Sequence, residues 1–93
     1  MNSIHIAEHC QEGLYDLQRT MTGLGWTGTK EPIPYGSTKT RAHWILSAEE
    51  WLKKQCEDEW LGIAYLEDGV LFASFKAVSD ATAFRAACQS GVV

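Results

Sequence analysis

The residues nearest the N-terminus have the types and spacing of a metal site. His5, Glu8 and His9 form an H-x-x-E-H pattern, in which two histidine nitrogens bind zinc and the glutamate acts as a base. That chemistry needs both histidines on one face of a helix and a third protein ligand from elsewhere. A chain of 93 residues leaves little room for this ligand and a substrate cleft. We therefore expect surface or capping histidines and no metal site.

A second chemical pattern, G-x-G-x-x-G, covers residues 23–28. In dinucleotide-binding proteins this pattern follows a strand and opens a helix, so that phosphates lie at the helix N-terminus. Here it follows a predicted helix and opens a predicted loop, and no cofactor is expected. Lys30, Lys39 and Arg41 provide positive charge nearby. They are the alternative candidates for contact with nucleic acid or a small ligand.

The chain offers no nucleophile that is paired with a base. Ser47 and Ser79 stand where helices are predicted to begin, and the three cysteines are Cys10, Cys56 and Cys88. No catalytic residue is predicted, so we expect a protein that is not an enzyme. The cysteines are odd in number and lack a C-x-x-C pair, which is typical of free thiols in a reducing compartment.

Tryptophan is the strongest compositional signal of the chain. All four tryptophans fall within 35 residues, at Trp26, Trp44, Trp51 and Trp60. Tryptophan is enriched both in small cores and at the centres of protein interfaces. The last three have positions in predicted strands and helices that favour the core. Trp26 lies in a predicted glycine-rich loop, so we expect it and Tyr35 to contact a partner.

Acidic residues concentrate in the second half of the chain. Residues 47–68 carry seven acids and two lysines, a balance of −5, whereas residues 27–46 have a balance of +2. Three of the acids follow the second predicted helix, at the negative end of its dipole. The candidate partner-binding acids are Glu57, Asp58, Glu59, Glu67 and Asp68. The net charge of −4 disfavours nucleic acid as the principal partner.

Periodicity along the chain predicts the elements that position these residues. Apolar residues at steps of three and four predict a first helix over 8–24, and alternation predicts a strand over 40–46. Residues 3–7 fit either a short strand or a helical turn, with weak alternation favouring the strand. Residues 25–39 contain both prolines and predict one long loop.

Two further helices are indicated by their capping residues. The second is predicted to begin at Ser47, whose hydroxyl and the carboxylate of Glu50 form a capping box. The third is predicted over 80–89, with Ser79 and Asp80 as its cap and Gly91 as its stop.

Between these helices the sequence predicts a β-hairpin. Its strands cover 60–66 and 70–77, and the Asp-Gly dipeptide at 68–69 predicts a two-residue turn. The register implied by that turn places Phe75 opposite Gly62, an arrangement in which an aromatic ring covers a strand glycine.

Together these elements predict one α+β domain over residues 1–93. The sheet is expected to be small and mostly antiparallel, with three or four strands and about three helices. The unit from 40 to 66 is expected to be a βαβ crossover, and the order resembles half of a ferredoxin-like arrangement. No apolar stretch is long enough for a membrane span, and no secretory signal is visible, so a cytoplasmic location is expected.

The leading functional interpretation is a small acidic protein-binding module. Its acids and aromatic loop residues would occupy a basic surface of a protein partner, such as nucleic-acid-processing machinery. In size and charge alone it is similar to anti-CRISPR, anti-restriction and immunity proteins. One alternative is a nucleic-acid or small-ligand binder that uses residues 27–46. Another is a homo-oligomeric module, such as a homodimer, joined through the face of Tyr65 and Phe72.

Overall fold

The computed structural model describes residues 2–7, 12–34 and 38–93, with the side chains of 12–15 and 38–39 left out of the description. The elements follow the order β1 (Ile4–Ala7), α1 (Glu12–Gly23), β2 (Thr27–Pro32), α2 (Thr38–Gln55), β3 (Trp60–Tyr65), β4 (Val70–Phe75) and α3 (Val78–Ser90). The predicted α+β class is confirmed, and the ambiguous segment at the N-terminus is a strand.

The four strands form one sheet in the order β1-β3-β4-β2. β1 is parallel to β3, while β4 is antiparallel to both of its neighbours, β3 and β2. The sheet is therefore mixed rather than purely antiparallel, and its order does not establish the predicted ferredoxin-like arrangement.

The connections cover the sheet on both faces. The chain crosses from one edge strand to the other through α1 and returns to the centre through α2. Right-handed crossovers that run in opposite directions place their helices on opposite faces of a sheet. α1 lies against β4, whereas residues of α2 and α3 form the main core cluster. The burial of Leu61, Ile63 and Ser74, which face away from that cluster, agrees with this arrangement.

The main core lies between the sheet and the layer of α2 and α3. Trp60, Leu71 and Phe75 reach it from the two central strands, and each is almost completely buried. The ring of Phe84 lies 5.6 Å from the rings of both Trp51 and Phe75, measured between centroids. Burying a side chain of this size stabilises the fold by about 1.5–3 kcal/mol, so this aromatic cluster anchors α2 and α3 to the sheet.

The predicted strand over 40–46 and the predicted helix start at Ser47 are wrong. Both segments belong to α2, and Ser47 is an exposed residue in its middle rather than a cap. The buried residues Ile45, Ala48 and Leu52 are separated by three and four positions. These buried residues have the spacing of one helical face, although residues 40–46 also alternate between apolar and polar types. The alternation therefore predicted a strand where the structure has a helix.

The predicted loop over 25–39 contains a strand. β2 pairs with β4, from Thr27 opposite Phe75 to Pro32 opposite Val70. Its sequence is polar and lacks apolar alternation, and the proline stands at the end of an edge strand, where a missing N–H is tolerated. Pairing with β4, a contact between distant residues, makes this segment a strand.

The predicted hairpin is confirmed, but its register differs from the prediction by two residues. Tyr65 pairs with Val70, so a loop over 66–69 replaces the expected two-residue turn on 68–69. A type I′ turn needs two residues with positive φ, and in this loop only Gly69 has one, at 64°. A shift of two leaves every side chain on its predicted face.

Gly62 has a different neighbour from the one predicted. It lies opposite Ala73 on β4 rather than opposite Phe75, and opposite Ile4 on β1. A Cβ atom at position 62 would come within 2.9 Å of the Ile4 side chain. The glycine therefore allows β1 to approach β3 closely, and it is not covered by the aromatic ring.

The ends of the other helices follow the predictions in part. α1 ends at Gly23, close to the prediction, while the predicted beginning at residues 8–11 lies outside the described residues. α3 ends at Gly91, as predicted, with the glycine in the left-handed region at φ 79°. Its N-cap is Ala77, which makes no side-chain cap hydrogen bond, so the predicted cap at Ser79 and Asp80 is wrong.

Candidate functional site

One end of the sheet brings together two of the predicted site segments. Strand pairing places Thr27 of β2 in the same row as Trp60 of β3, with β4 between them. Trp26 and Glu59 directly precede these two residues, so they lie at the same end of the sheet. Neighbouring strands are about 4.8 Å apart, which separates these two backbone segments by about 10 Å. We call this region the acidic end, and it comprises Trp26, Glu57, Asp58 and Glu59.

Asp80 holds the backbone of the acidic end. The residue is 5% exposed, and its carboxylate accepts hydrogen bonds from the N–H groups of Glu57 at 3.2 Å and Asp58 at 3.0 Å. The carboxylate of Asp58 accepts a third bond from the N–H of Glu59, at 2.8 Å. A hydrogen bond to a charged acceptor contributes about 1.5–3 kcal/mol. The three acidic side chains stay exposed while their backbone is held in place.

Apolar side chains border the acidic end. Leu24 is 67% exposed and lies two residues before Trp26, and Val78 is 65% exposed at the start of α3. Lys76, two residues before Val78, donates its backbone N–H to the carbonyl of Glu59 at 3.0 Å. Apolar and aromatic side chains beside a charged rim are the usual composition of a protein interface.

The structure does not join the five predicted acids in one patch. Glu57, Asp58 and Glu59 precede β3, whereas Glu67 and Asp68 follow it. A strand of six residues spans about 20 Å, so the two groups lie at opposite ends of the sheet. Tyr35, the other predicted aromatic contact, lies outside the described residues.

The alternative basic residues are not brought together either. Lys30 lies with its Nζ 5.6 Å from the ring centroid of Phe72, on the face of the sheet that points away from the main core. Arg41 lies on α2, at the other face, and donates from Nη1 to the carbonyl of Leu66. The side chain of Lys39 lies outside the described part of the chain.

The face considered for self-association is buried within the chain. Tyr65 is 2% exposed, and its ring packs edge to face on Phe72 with 5.6 Å between centroids. Ile63 and Val70 belong to the same small cluster and are buried as well. This face is a second core rather than a free surface.

The tryptophans differ less in exposure than the sequence suggests. Trp60 is buried, as expected for a core anchor, and Trp44 and Trp51 are half-buried against the same core. Trp26 is half-buried too. Trp26 is therefore distinguished by its position at the same end of the sheet as three exposed acids, and not by its exposure.

The chemical patterns of the sequence lack their required contexts. His5 lies on β1 rather than on a helix, and Glu8 and His9 are outside the described residues. The segment 23–28 follows a helix and leads into a strand, the reverse of a dinucleotide fingerprint. Within the described part of the chain, no group of three or more His, Cys, Asp and Glu residues is arranged to hold a metal ion.

The two described cysteines are free thiols. Burial raises the pKa of Cys56 to about 11 and that of Cys88 to about 12. Nearby carboxylates, Asp80 and Glu31 respectively, make a smaller contribution to these raised pKa values. Both thiols are therefore protonated at neutral pH, which makes them poor nucleophiles.

The structure also reveals a groove that sequence reasoning missed. It has a volume of about 430 Å³ and lies beside the last residues of β2, at the end of the sheet away from Trp26. Its lining includes Glu31, Pro32, Pro34, Trp44, Arg85 and Gln89. An acidic residue in a polar segment is typical of a solvated loop, so no local sequence pattern predicts that Glu31 is buried or that it lines a groove.

No known protein family matches the chain, and neither does any curated protein or solved structure. Among the described residues, no helix is both long and apolar enough to cross a membrane. A functional proposal for this chain therefore rests on its geometry and chemistry.

Proposed function

We propose that this protein is a small, non-enzymatic protein-binding module whose acidic end occupies a basic surface of a protein partner. The main support is the placement of Trp26 at the same end of the sheet as Glu57, Asp58 and Glu59. An aromatic anchor beside several charges fits the pattern in which a few residues provide most of the binding energy.

The two hydrogen bonds that the Asp80 carboxylate accepts give a physical reason why this end can bind a partner. A surface whose backbone is already ordered loses little conformational entropy when it binds. Because the carboxylates of Glu57 and Glu59 are exposed, they add an attraction to basic partners that speeds association and weakens as salt is raised.

The finer proposal is that binding is inhibitory and takes place in the cytoplasm. Carboxylates in this arrangement would compete with nucleic acid for a basic groove of a nucleic-acid-processing protein. Anti-CRISPR, anti-restriction and immunity proteins are comparable only in size and charge.

A comparison of charge-reversed variants tests the proposal. The immobilised protein and its variants E57K/E59K, W26A and E67K/D68K are exposed to lysate of the native host, and retained proteins are identified by mass spectrometry. Asp58 is left unchanged because its carboxylate binds the Glu59 N–H. We expect a basic protein that the wild type and E67K/D68K retain, that E57K/E59K and W26A lose, and that rising salt releases.

The control lies in the second pair of acids. E67K/D68K changes the same charge at the opposite end of the sheet, so it separates a local contact from a general effect of net charge. Retention of the same proteins by E57K/E59K and the wild type would contradict the proposal.

A further inference from the structure

Glu31 is a buried carboxylate whose hydrogen-bonding capacity the fold does not use. The residue is 5% exposed, and its Oε1 atom has no hydrogen-bond partner among the described residues. An unsatisfied buried acceptor costs about 1–3 kcal/mol. Since β2 is an edge strand, Glu31 also lines the groove beside it rather than a closed core. Its carboxylate therefore lies at the wall of the groove, with one oxygen that the described residues leave without a partner.

Arg85 places the opposite charge in the same groove. It is an exposed residue of α3, and no ion pair or hydrogen bond joins it to Glu31 in the described part of the chain. Both residues nevertheless line the same groove. The charge of Arg85 lowers the pKa of the Glu31 carboxyl, while the larger effect of burial raises it. The groove thus holds one negative and one positive group that are not in contact.

The remaining walls are mostly apolar and neutral. Trp44, Pro32 and Pro34 provide flat apolar surface, and Gln89 lies one helical turn beyond Arg85. Lys30 also lines the groove, but its ammonium group lies over the Phe72 ring at the other face of the sheet. The groups that face the groove are therefore close to charge balance.

We propose that this groove binds a small zwitterion of the α-amino acid class. The ligand ammonium donates to the carboxylate of Glu31, the ligand carboxylate accepts from the guanidinium of Arg85, and the ligand side chain packs against Trp44 and the two prolines. A volume of about 430 Å³ lies within the range of small-molecule pockets. A nucleotide fits less well, because one arginine beside a carboxylate gives too little positive charge for a phosphate.

Isothermal titration calorimetry with each of the twenty standard L-amino acids tests this inference. For any amino acid that binds, the N-acetylated form and the carboxamide form are measured as well. Each loses one of the two charged contacts, and we expect each to bind at least about tenfold more weakly, since 1.4 kcal/mol corresponds to a tenfold change. AMP serves as the nucleotide probe and is expected not to bind.

Variants then assign the contacts. E31Q and R85Q are each expected to weaken amino-acid binding by at least about tenfold. E50Q is the matched control, because Glu50 is an exposed residue of α2 whose carboxylate pairs with Lys54, outside the groove. Absence of binding by all twenty amino acids, equal binding of the blocked forms, binding of AMP alone, or unchanged binding by E31Q would each overturn the inference.

The groove and the acidic end can be tested separately. They lie at opposite ends of the sheet, so E57K/E59K is expected to bind the amino acid as the wild type does. Either proposal can therefore be contradicted by experiment while the other one still holds.

Discussion

Asp80 and Glu31 are two acidic residues that are buried to the same extent, 5% exposed each, in different surroundings. Both oxygens of Asp80 accept hydrogen bonds from the backbone of the acidic end. One oxygen of Glu31 has no partner among the described residues, and the residue faces a groove. Equal burial thus accompanies two different surroundings, since the fold satisfies the first carboxylate and leaves one oxygen of the second without a partner among the described residues.

Their positions explain the difference. Asp80 lies in the first turn of α3, where the helix dipole favours a negative charge. It accepts hydrogen bonds from the backbone N–H groups of Glu57 and Asp58, which follow the end of α2. Glu31 lies on an edge strand, where no further strand supplies donors. Substitutions at the two positions should therefore change the stability in opposite directions.

The largest expected effect is the loss of Asp80. D80A removes two hydrogen bonds to a charged acceptor and leaves two partly buried N–H groups without a partner. We therefore expect a loss of about 3 kcal/mol in the free energy of unfolding. Urea denaturation followed by tryptophan fluorescence measures it. E50A, at an exposed position, should change the value by less than about 0.5 kcal/mol. A loss below about 1 kcal/mol in D80A would show that these bonds do not hold the fold.

A smaller change of opposite sign is expected at Glu31. Burial raises the pKa of this carboxyl above its ordinary value of 4.5, so the folded state favours the protonated form. Its contribution to stability is present below the unfolded pKa and is lost as pH rises through the folded pKa. E31Q, which stays neutral, should therefore gain about 1 kcal/mol at neutral pH.

The pH dependence provides the control for E31Q. Urea denaturation at about pH 4 should show a smaller difference between E31Q and wild type, because the wild-type carboxyl is then largely protonated in the folded protein. If E31Q instead destabilised the protein at neutral pH, Glu31 would have to be paired in solution.

The smallest change in stability is expected at the exposed acids. E57K/E59K replaces two exposed carboxylates, neither of which makes a hydrogen bond to another described residue. Positive charge is also favourable near the C-terminal end of a helix such as α2. We expect the free energy of unfolding to change by less than about 0.5 kcal/mol. Thermal unfolding by circular dichroism checks this, and a loss as large as that of D80A would mean that the side chains, and not only the backbone, support the fold.

Sequence reasoning recovered features that are encoded by neighbouring residues. The hairpin follows from two apolar runs joined by an Asp-Gly dipeptide, and the end of α3 follows from Gly91, which adopts positive φ at little cost. The α+β class follows from the succession of such elements. Each of these signals lies within a few positions along the chain.

The missed features depend on contacts between distant residues. β2 has no apolar alternation and becomes a strand by pairing with β4, about forty positions later. Asp80 was expected to cap its own helix, but it binds N–H groups 22 and 23 residues earlier in the chain. The groove around Glu31 needs both β2 and α3, so no single segment of sequence predicts it.

The most direct measurement compares two ligands on two variants by titration calorimetry. The ligands are the basic protein captured by the acidic end and the amino acid that binds the groove, and the variants are E57K/E59K and E31Q. We predict that E57K/E59K loses the protein and keeps the amino acid, while E31Q loses the amino acid and keeps the protein. A variant that loses both ligands, or neither, would contradict the assignment of separate roles to the two ends of the sheet.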